Sequence, residues 1–520
     1  MDAVVLNGER RQATVKLWPP TLNTRQMLVD RLTSNISTPT SFTRKYGCLD
    51  EIVALKYAKR IEESAFASAT KLYEQEPDGG GSSAVQLYAR ECSNLCLEVL
   101  KGSSCITITD QQDTVDSKVD SAFQETFFNI SKGKRAFIEI DEAQTLLGPL
   151  KEPNFYTKIC FSNRSFGLAA AHVAGPILAL IKKQLKTVDL SDFVAGRPEA
   201  EALEVMKIFS EALEGSQLTY LNLSDNALGE KGVRAFSLLL LSQSCLEELY
   251  LINDGISEEA ARAVCELLPS TEKLRVLHFH NNMTGDEGAI AISEILKRCP
   301  LLEDFRCSST RVGSEGGVAL TEALVKCNNL KKLDIRDNMF GVEVGIKLSE
   351  AVRNKENLIE IYLSYLNLED DGAIALANAL EVAAPSLEVL EMAGNDISAK
   401  AAQSIAACIA SKKAIVKLNL SENNLKDDGA ILISKAFGEE HDKLKEVDLS
   451  QNSLRRAAAR TLAQDLADKP GFKLLNINGN FISEEGIDEL KDMFQKHPDR
   501  LGPLDENDPD GEDFDDDDDC

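Results

Sequence analysis

One pattern constrains this chain more than any other: apolar residues in the order L-x-x-L-x-L-x-x-N-x-L, returning at nearly constant intervals. Clear copies are Leu218-Leu221-Leu223-Asn226-Leu228 and Leu330-Leu333-Ile335-Asn338-Phe340. Three more are Leu387-Leu390-Met392-Asn395-Ile397, Ile415-Leu418-Leu420-Asn423-Leu425 and Leu444-Val447-Leu449-Asn452-Leu454. With the weaker copies, twelve units begin at 156, 185, 218, 246, 274, 302, 330, 358, 387, 415, 444 and 472. Successive spacings are 28 or 29 residues, except for one of 33 after Leu185. Self-similarity at such a period indicates an array of like supersecondary units.

Each unit has a physical logic. The L-x-L alternation reads as a short strand with one face buried. The asparagine can bond loop backbone where the chain must turn, which leucine cannot do. A glycine-containing segment then leads into a helix with apolar residues at i, i+3 and i+4, as in 285–296 and 369–380. No unit buries its apolar face alone, so stacking supplies the core. The expected fold class is α/β: a leucine-rich-repeat solenoid with a parallel sheet on the concave face and helices on the convex face. The units starting at Leu302 and Leu358 carry Thr310 and Leu366 in place of the asparagine, which puts their loops in question.

The flanking regions break the pattern. Residues 1–101 read as a small all-α domain of three helices, at 21–36, 49–70 and 82–100, with a flexible break at 76–83. Residues 102–131 lack periodicity and are expected to be a linker, with 132–155 capping the solenoid and 156–500 forming the repeat domain. Residues 501–520 are expected to be a disordered tail. From Leu504 onward there are eleven acidic residues and no basic one, so like charges repel and little apolar surface can be buried.

A formal net charge of −27 argues against nucleic acid and anionic membranes as ligands, and for a basic or mixed-charge protein partner. No apolar signal region opens the chain, and runs such as Leu238 to Leu241 are too short to span a bilayer. A cytoplasmic protein without membrane insertion is expected. Twelve cysteines include no C-x-x-C pair, and five histidines form no H-x-x-x-H, which speaks against disulfides and metal. Cys245, Cys265, Cys299, Cys307, Cys327 and Cys408 fall in apolar stretches and read as buried free thiols. No P-loop, nucleophile elbow or H-E-x-x-H motif is present, so neither intrinsic catalysis nor a cofactor is expected.

Two places stand out for binding. The 33-residue unit carries its excess near 192–201, around Gly196, Arg197 and Pro198, and insertions in solenoids map to loops on a binding edge. A solvated arginine paired with Glu199 or Glu201 is the plainer alternative. The strand positions between buried leucines include Tyr220, Tyr250, His278, His280, Asp304, Arg306, Asp334, Arg336, Tyr362 and Glu391, a mixture that suits a protein–protein face.

These features together carry a resemblance. The helical region with Trp18, Pro19 and Pro20 looks like the plant WPP domain. The long-repeat array, the Gly196-Arg197 loop and the acidic tail resemble the Ran GTPase-activating proteins, and the combination is similar to the plant members over essentially the whole chain. The resemblance implies an activator of Ran–GTP, not an enzyme with its own site. It would order Ran's catalytic residues without an arginine finger, the Mg²⁺ and GTP belonging to the GTPase. It aligns the family's essential loop arginine with Arg197 and its active-site asparagine with Asn282, which also has a loop-tying reading. Asn226 and Asp337, with His278, His280, Arg306 and Arg336 on the sheet face, are the partner-binding candidates. Trp18, Pro19 and Pro20 would direct the protein to coiled-coil anchors on the cytoplasmic face of the nuclear envelope; Trp18 reads equally as a core residue. The same resemblance extends to immune-receptor coiled-coil domains as partners and to the cell plate in division. A non-catalytic repeat scaffold or inhibitor is the competing reading.

Overall fold

The computed structural model describes residues 18–20, 22–37, 51–75, 82–100, 126–131, 135–151, 156–438 and 441–510. The chain divides into two units, Met1–Ala122 and Phe123–Cys520.

Among its described residues the first unit holds three helices, α1 (Leu22–Ser37), α2 (Glu51–Gln75) and α3 (Ser82–Leu100). Small residues on one stripe of α2, Ala54, Ala58, Ala65 and Ala69, are fully buried and let the neighbouring helices approach closely. Trp18 is 1% exposed, stacked on Phe66 at 5.2 Å and edge-on to Tyr88 at 5.4 Å. Arg25 lies 3.7 Å from the Phe66 ring centroid and grips Glu62 with two bonds of 2.6 and 2.8 Å. Burial opposes ionisation of Glu62, but hydrogen bonds from Arg25 and Tyr88 outweigh it and hold the carboxyl below its ordinary value. Trp18 is thus a core residue; Pro19 is exposed and Pro20 half-buried. Most of the 76–83 break and residues 102–125 lie outside the described residues.

In the second unit, among the described residues, thirteen parallel strands form one sheet in sequential order, from Thr126–Asn129 to Leu474–Asn476. The central residues Leu221, Leu249, Leu277, Phe305, Leu333, Ile361, Leu390 and Leu418 stand side by side in register. Each is at most 2% exposed, so each of these eight strands contributes one buried rung between two neighbours on the opposite face. Helices such as Gly285–Leu296 and Glu369–Val382 return the chain on the opposite side, packed pairwise. Their C-terminal carbonyls meet cations. Lys412 Nζ reaches Glu381 O and Ala383 O at 3.1 and 2.8 Å, and Lys355 Nζ reaches Val325 O at 3.0 Å.

Two boundaries differ from the sequence expectation. Residues 126–131, read as linker, begin the sheet: Thr126–Asn129 pairs with Tyr156–Cys160, and Phe128 and Ile130 are buried. This strand carries no leucine pattern, so the period did not reveal it. At the other end, residues 501–510 are not a free tail. Gly502 N–H bonds Leu475 O and Asp508 N–H bonds Asn480 O, each at 2.8 Å, while Leu504 packs on the core. Residues 511–520 lie outside the described residues. The thiols also divide: Cys299, Cys307, Cys327 and Cys408 are buried, and burial pushes Cys408 up to about 12, but Cys245 and Cys265 are only half-buried.

The turns between strand and helix repeat one device. The residue before the asparagine position adopts a left-handed conformation, with φ of 64° at Asp225, 56° at Asn281, 55° at Asp337 and 52° at Gln451. The asparagine itself turns inward. Asn282 Oδ1 accepts from Asp254 N–H and Ile256 N–H, both at 3.0 Å, and its Nδ2 donates to Leu251 O and Phe279 O, both at 2.7 Å. Asn226, Asn338, Asn395, Asn423, Asn452 and Asn480 repeat the arrangement, and Asn507 ends it by accepting from Asn480 N–H at 3.0 Å. The loops at Thr310 and Leu366 keep their shape because the next repeat supplies the acceptor: Asn338 for Thr310 and Asn395 for Leu366. Only the upstream bond changes, so Asn282 N–H and Asn338 N–H turn to the backbone carbonyls of Ser309 and Tyr365 at 3.2 Å.

Asp254 takes an asparagine's place. It is fully buried; Oδ1 accepts from Asn226 N–H at 2.9 Å, and Oδ2 has no partner. Burial pushes its carboxyl well above the ordinary value, against the pull of backbone bonds from Asn226 and Leu228. A group raised in this way contributes fully below its unfolded value, near 3.8, and loses that contribution as pH climbs towards the folded value. Asp254→Asn restores a neutral donor, since one carbonyl can serve two such amides, as Leu420 O does for Asn423 and Asn452. At pH 7 the variant should be more stable by about 1–2 kcal/mol, and the gain should shrink towards pH 4. Thermal melts across that range check it; a gain that does not depend on pH would refute the upward shift of this carboxyl.

Candidate functional site

The long unit differs from its neighbours between strand and helix. Its helix starts at Glu199, whereas in the next unit the turn through Asn226 leads into a helix already at Gly229. The loop that takes up the extra length is fixed at several points. Phe193 and Val194 are buried, and Asn226 Oδ1 accepts from both their N–H groups, at 2.9 and 3.3 Å. Asp192, at φ 52°, pairs with Arg135 at 2.6 Å. Gly196 sits at φ 83° against the Phe137 ring.

Arg197 is the centre of this loop, and it points inward. Its side chain is 10% exposed. The guanidinium bonds Glu139 Oε1 at 2.7 Å and Ser165 O at 2.8 Å, with longer bonds to Ser165 Oγ and Ile138 O at 3.3 Å. Glu201 lies 3.7 Å away, and the Phe137 ring centroid 4.9 Å away. A Cβ at Gly167 would come within 3.0 Å of both Arg197 Nη1 and Glu139 Oε2, so that glycine leaves room for the pair. Glu139 lies before the first unit, and Ser165 and Gly167 lie within the first unit at positions that do not recur, so the spacing did not mark them as partners. Glu201, expected as a partner, is present but is not the main one.

The other candidates fall into two groups. On the sheet face, Tyr220, Tyr250 and His278 form a ring ladder with centroids 5.2 and 4.9 Å apart. His278 is buried, with Nε2 3.1 Å from Asp304 Oδ1. Burial opposes ionisation of Asp304, but bonds from His278 and Arg306 prevail and hold it low. Arg306 makes two 3.2 Å bonds to the same carboxylate. Arg336 grips Asp334 at 2.9 and 3.0 Å, reaches Glu391 at 3.0 Å and lies over Tyr362 at 4.7 Å. His280 does not share the strand with His278, which ends the strand; it lies in the turn, with Nδ1 2.7 Å from Ser308 Oγ.

At the turn edge, Asn226 and Asn282 are buried in the backbone-tying positions described above, with 5% and 4% exposure. The exposed amide of that turn is Asn281, whose Nδ2 donates to Asn253 Oδ1 at 3.0 Å; Asn253 in turn donates to Asp225 Oδ1 at 2.9 Å. Asp337 occupies the equivalent exposed position two repeats on. A groove of about 530 Å³ runs along this edge between Asn281 and Met339. Among the described residues, no group of three or more His, Cys, Asp or Glu side chains is placed to hold a metal ion, and no helix is long and apolar enough to cross a membrane.

Removing the Arg197 side chain leaves two backbone carbonyls and a carboxylate without their donor. Arg197→Ala should cost about 1–3 kcal/mol, seen as a lower melting temperature and faster hydrogen exchange in 135–198. Gly167→Ala should act in the same direction by crowding the pair. An unchanged melt for both would show that the loop does not depend on this contact.

Comparison with known proteins places these features. The WPP domain family matches residues 14–109, and the leucine-rich-repeat family matches 217–237, 383–406 and 415–434. The RAN GTPase-activating protein 2 of Arabidopsis thaliana is 68% identical over 511 residues, covering 98% of this chain and 93% of that protein. The RAN GTPase-activating protein 1 of the same plant is 63% identical over 515 residues, covering 99% and 95%. The WPP domain-containing protein 1 of that plant is 31% identical over 115 residues, covering 21% of this chain and 73% of its own length.

Proposed function

The chain belongs to the plant RAN GTPase-activating protein family, and on that premise we propose that it accelerates GTP hydrolysis by Ran through ordering the GTPase's own catalytic residues. The GTP and Mg²⁺ are held by the GTPase, which supplies the chemistry of phosphoryl transfer. The observation that carries this reading is the engagement of Arg197. Its guanidinium is bonded to Glu139, Ser165 and Ile138 of its own chain, which suits a positioning residue and not a finger extended towards a phosphate. Arg197 then shapes the loop edge that meets Ran. In the same turn row, Asn282 holds the backbone while Asn281 presents an amide to solvent, so Asn281 is the better candidate to touch the partner. A net charge of −27 steers basic surface on the partner towards this chain.

The N-terminal unit serves, in the same proposal, as a tether to anchor proteins at the nuclear envelope. The WPP match over residues 14–109 supports it. Because Trp18 is buried, its part is to hold the helices in place, and neighbouring exposed residues such as Pro19 make the contact.

Single-turnover hydrolysis of GTP by Ran, with and without this chain, tests the central claim. Acceleration of up to about 10⁵-fold is expected, and none at saturating chain would sink it. Asn281→Ala should lower the plateau rate without changing the melt, whereas Asn282→Ala should lower the melt. For the tether, a fluorescent fusion of the full chain should concentrate at the nuclear rim and disperse with Trp18→Ala. A wild-type fusion that is diffuse from the start counts against it.

A further inference from the structure

Arg311 stands apart from the arginines of the sheet face. It follows Thr310 in the turn, at φ 60°, and its backbone is held because Asn338 Oδ1 accepts from Val312 N–H at 3.0 Å. Its side chain is exposed, and among the described residues no carboxylate lies within ion-pairing distance, unlike Arg306 and Arg336 on the adjoining strands. Arg311 lines the groove of about 530 Å³. Met283 on one side is 48% exposed and Met339 on the other is 59% exposed. Asp337 and Asn281 line the same groove.

We propose that this groove is a docking site for a protein segment that presents a carboxylate between apolar side chains. The proposal rests on the reading of the partner as Ran and assigns the segment to that GTPase. Three observations fix the chemistry. An unpaired guanidinium fits a carboxylate with two parallel bonds. Exposed, flexible methionines flanking it give a surface that closes over apolar side chains and removes water from the ion pair, the composition found at the energetic centre of interfaces. The surrounding chain carries a net charge of −27, which repels a uniformly acidic ligand; the carboxylate must therefore come on a surface that is otherwise basic or neutral. Asp337 in the groove likewise disfavours a bare anion and accepts a donor from the same segment.

The test is a binding titration of the full-length chain with Ran loaded with a non-hydrolysable GTP analogue. Arg311→Ala should weaken binding at least tenfold, and Arg311→Lys should fall between it and the wild type because an ammonium lacks the planar fork. Met283→Ala combined with Met339→Ala should weaken binding severalfold. All three side chains are exposed, so melting temperatures should stay at the wild-type value. Equal affinity for Arg311→Ala and wild type overturns the proposal, as does a wild type that does not bind. If Arg311→Ala binds normally but activates at a lower plateau, the role is chemical and the docking assignment is wrong. A wild type that binds the loaded GTPase without accelerating hydrolysis would sink the activator reading and leave the docking site standing.

Discussion

A buried carboxamide at most of the strand-to-helix turns is the contact on which the rest of this structure depends. At that corner the chain leaves the sheet ladder before it enters the helix, and its N–H and C=O groups have neither partner set. An orphaned buried group costs about 1–3 kcal/mol, and the turn holds several. An asparagine side chain offers an acceptor and two donors without charge, so Asn226 alone satisfies two N–H groups and three carbonyls. Each bond set crosses to the neighbouring repeat. The device therefore fixes the turn and the stacking together, and the leucine rungs pack in register as a consequence.

Much of this was legible in the sequence because it repeats. Period, strand rungs and inward asparagines were all fixed by spacing, and the one spacing of 33 marked the loop around Arg197. What was not legible does not repeat. Glu139 meets Arg197 from before the first unit, and Gly167 from a position of that unit that does not recur. The first strand packs through Phe128 and Ile130 and has no leucine pattern. Residues 501–510 look acidic and unstructured by composition, yet Leu504 and Asn507 reuse the apolar and amide positions of the array. In the pair Asn281 and Asn282, counting from Leu274 assigns the buried place to Asn282. The resemblance to a family had drawn attention to the residue, while the period already said which way it points.

The charges on the sheet face largely answer one another. Arg336 is shared between Asp334 and Glu391, and Lys417 reaches Glu391 at 2.8 Å. Such mutual pairing stiffens the face and leaves few side chains there with unmet bonding capacity. The turn edge is different: its residues sit in left-handed backbone conformations, face solvent and make few bonds. Tyr365 even spans two repeats, passing over Gly394 to bond Glu422 Oε1 at 2.5 Å, a path that a Cβ at 394 would block at 2.3 Å. A rigid, self-satisfied sheet thus displays a row of less committed side chains along one edge, which is where discrimination between partners is cheapest to build.

The direction of the amide contacts has a consequence for how the chain is made. Every turn is completed by an acceptor that belongs to the following repeat: Phe193 by Asn226, Ile256 by Asn282, Leu366 by Asn395. On a ribosome, which delivers the N-terminal end first, a repeat that has just emerged has its strand and helix but not the acceptor that closes its corner. Closure then travels along the array one repeat behind synthesis. Asn507, some thirty residues beyond the last strand, is the final clasp, and until it is released the newest corner of the growing solenoid stays open to water.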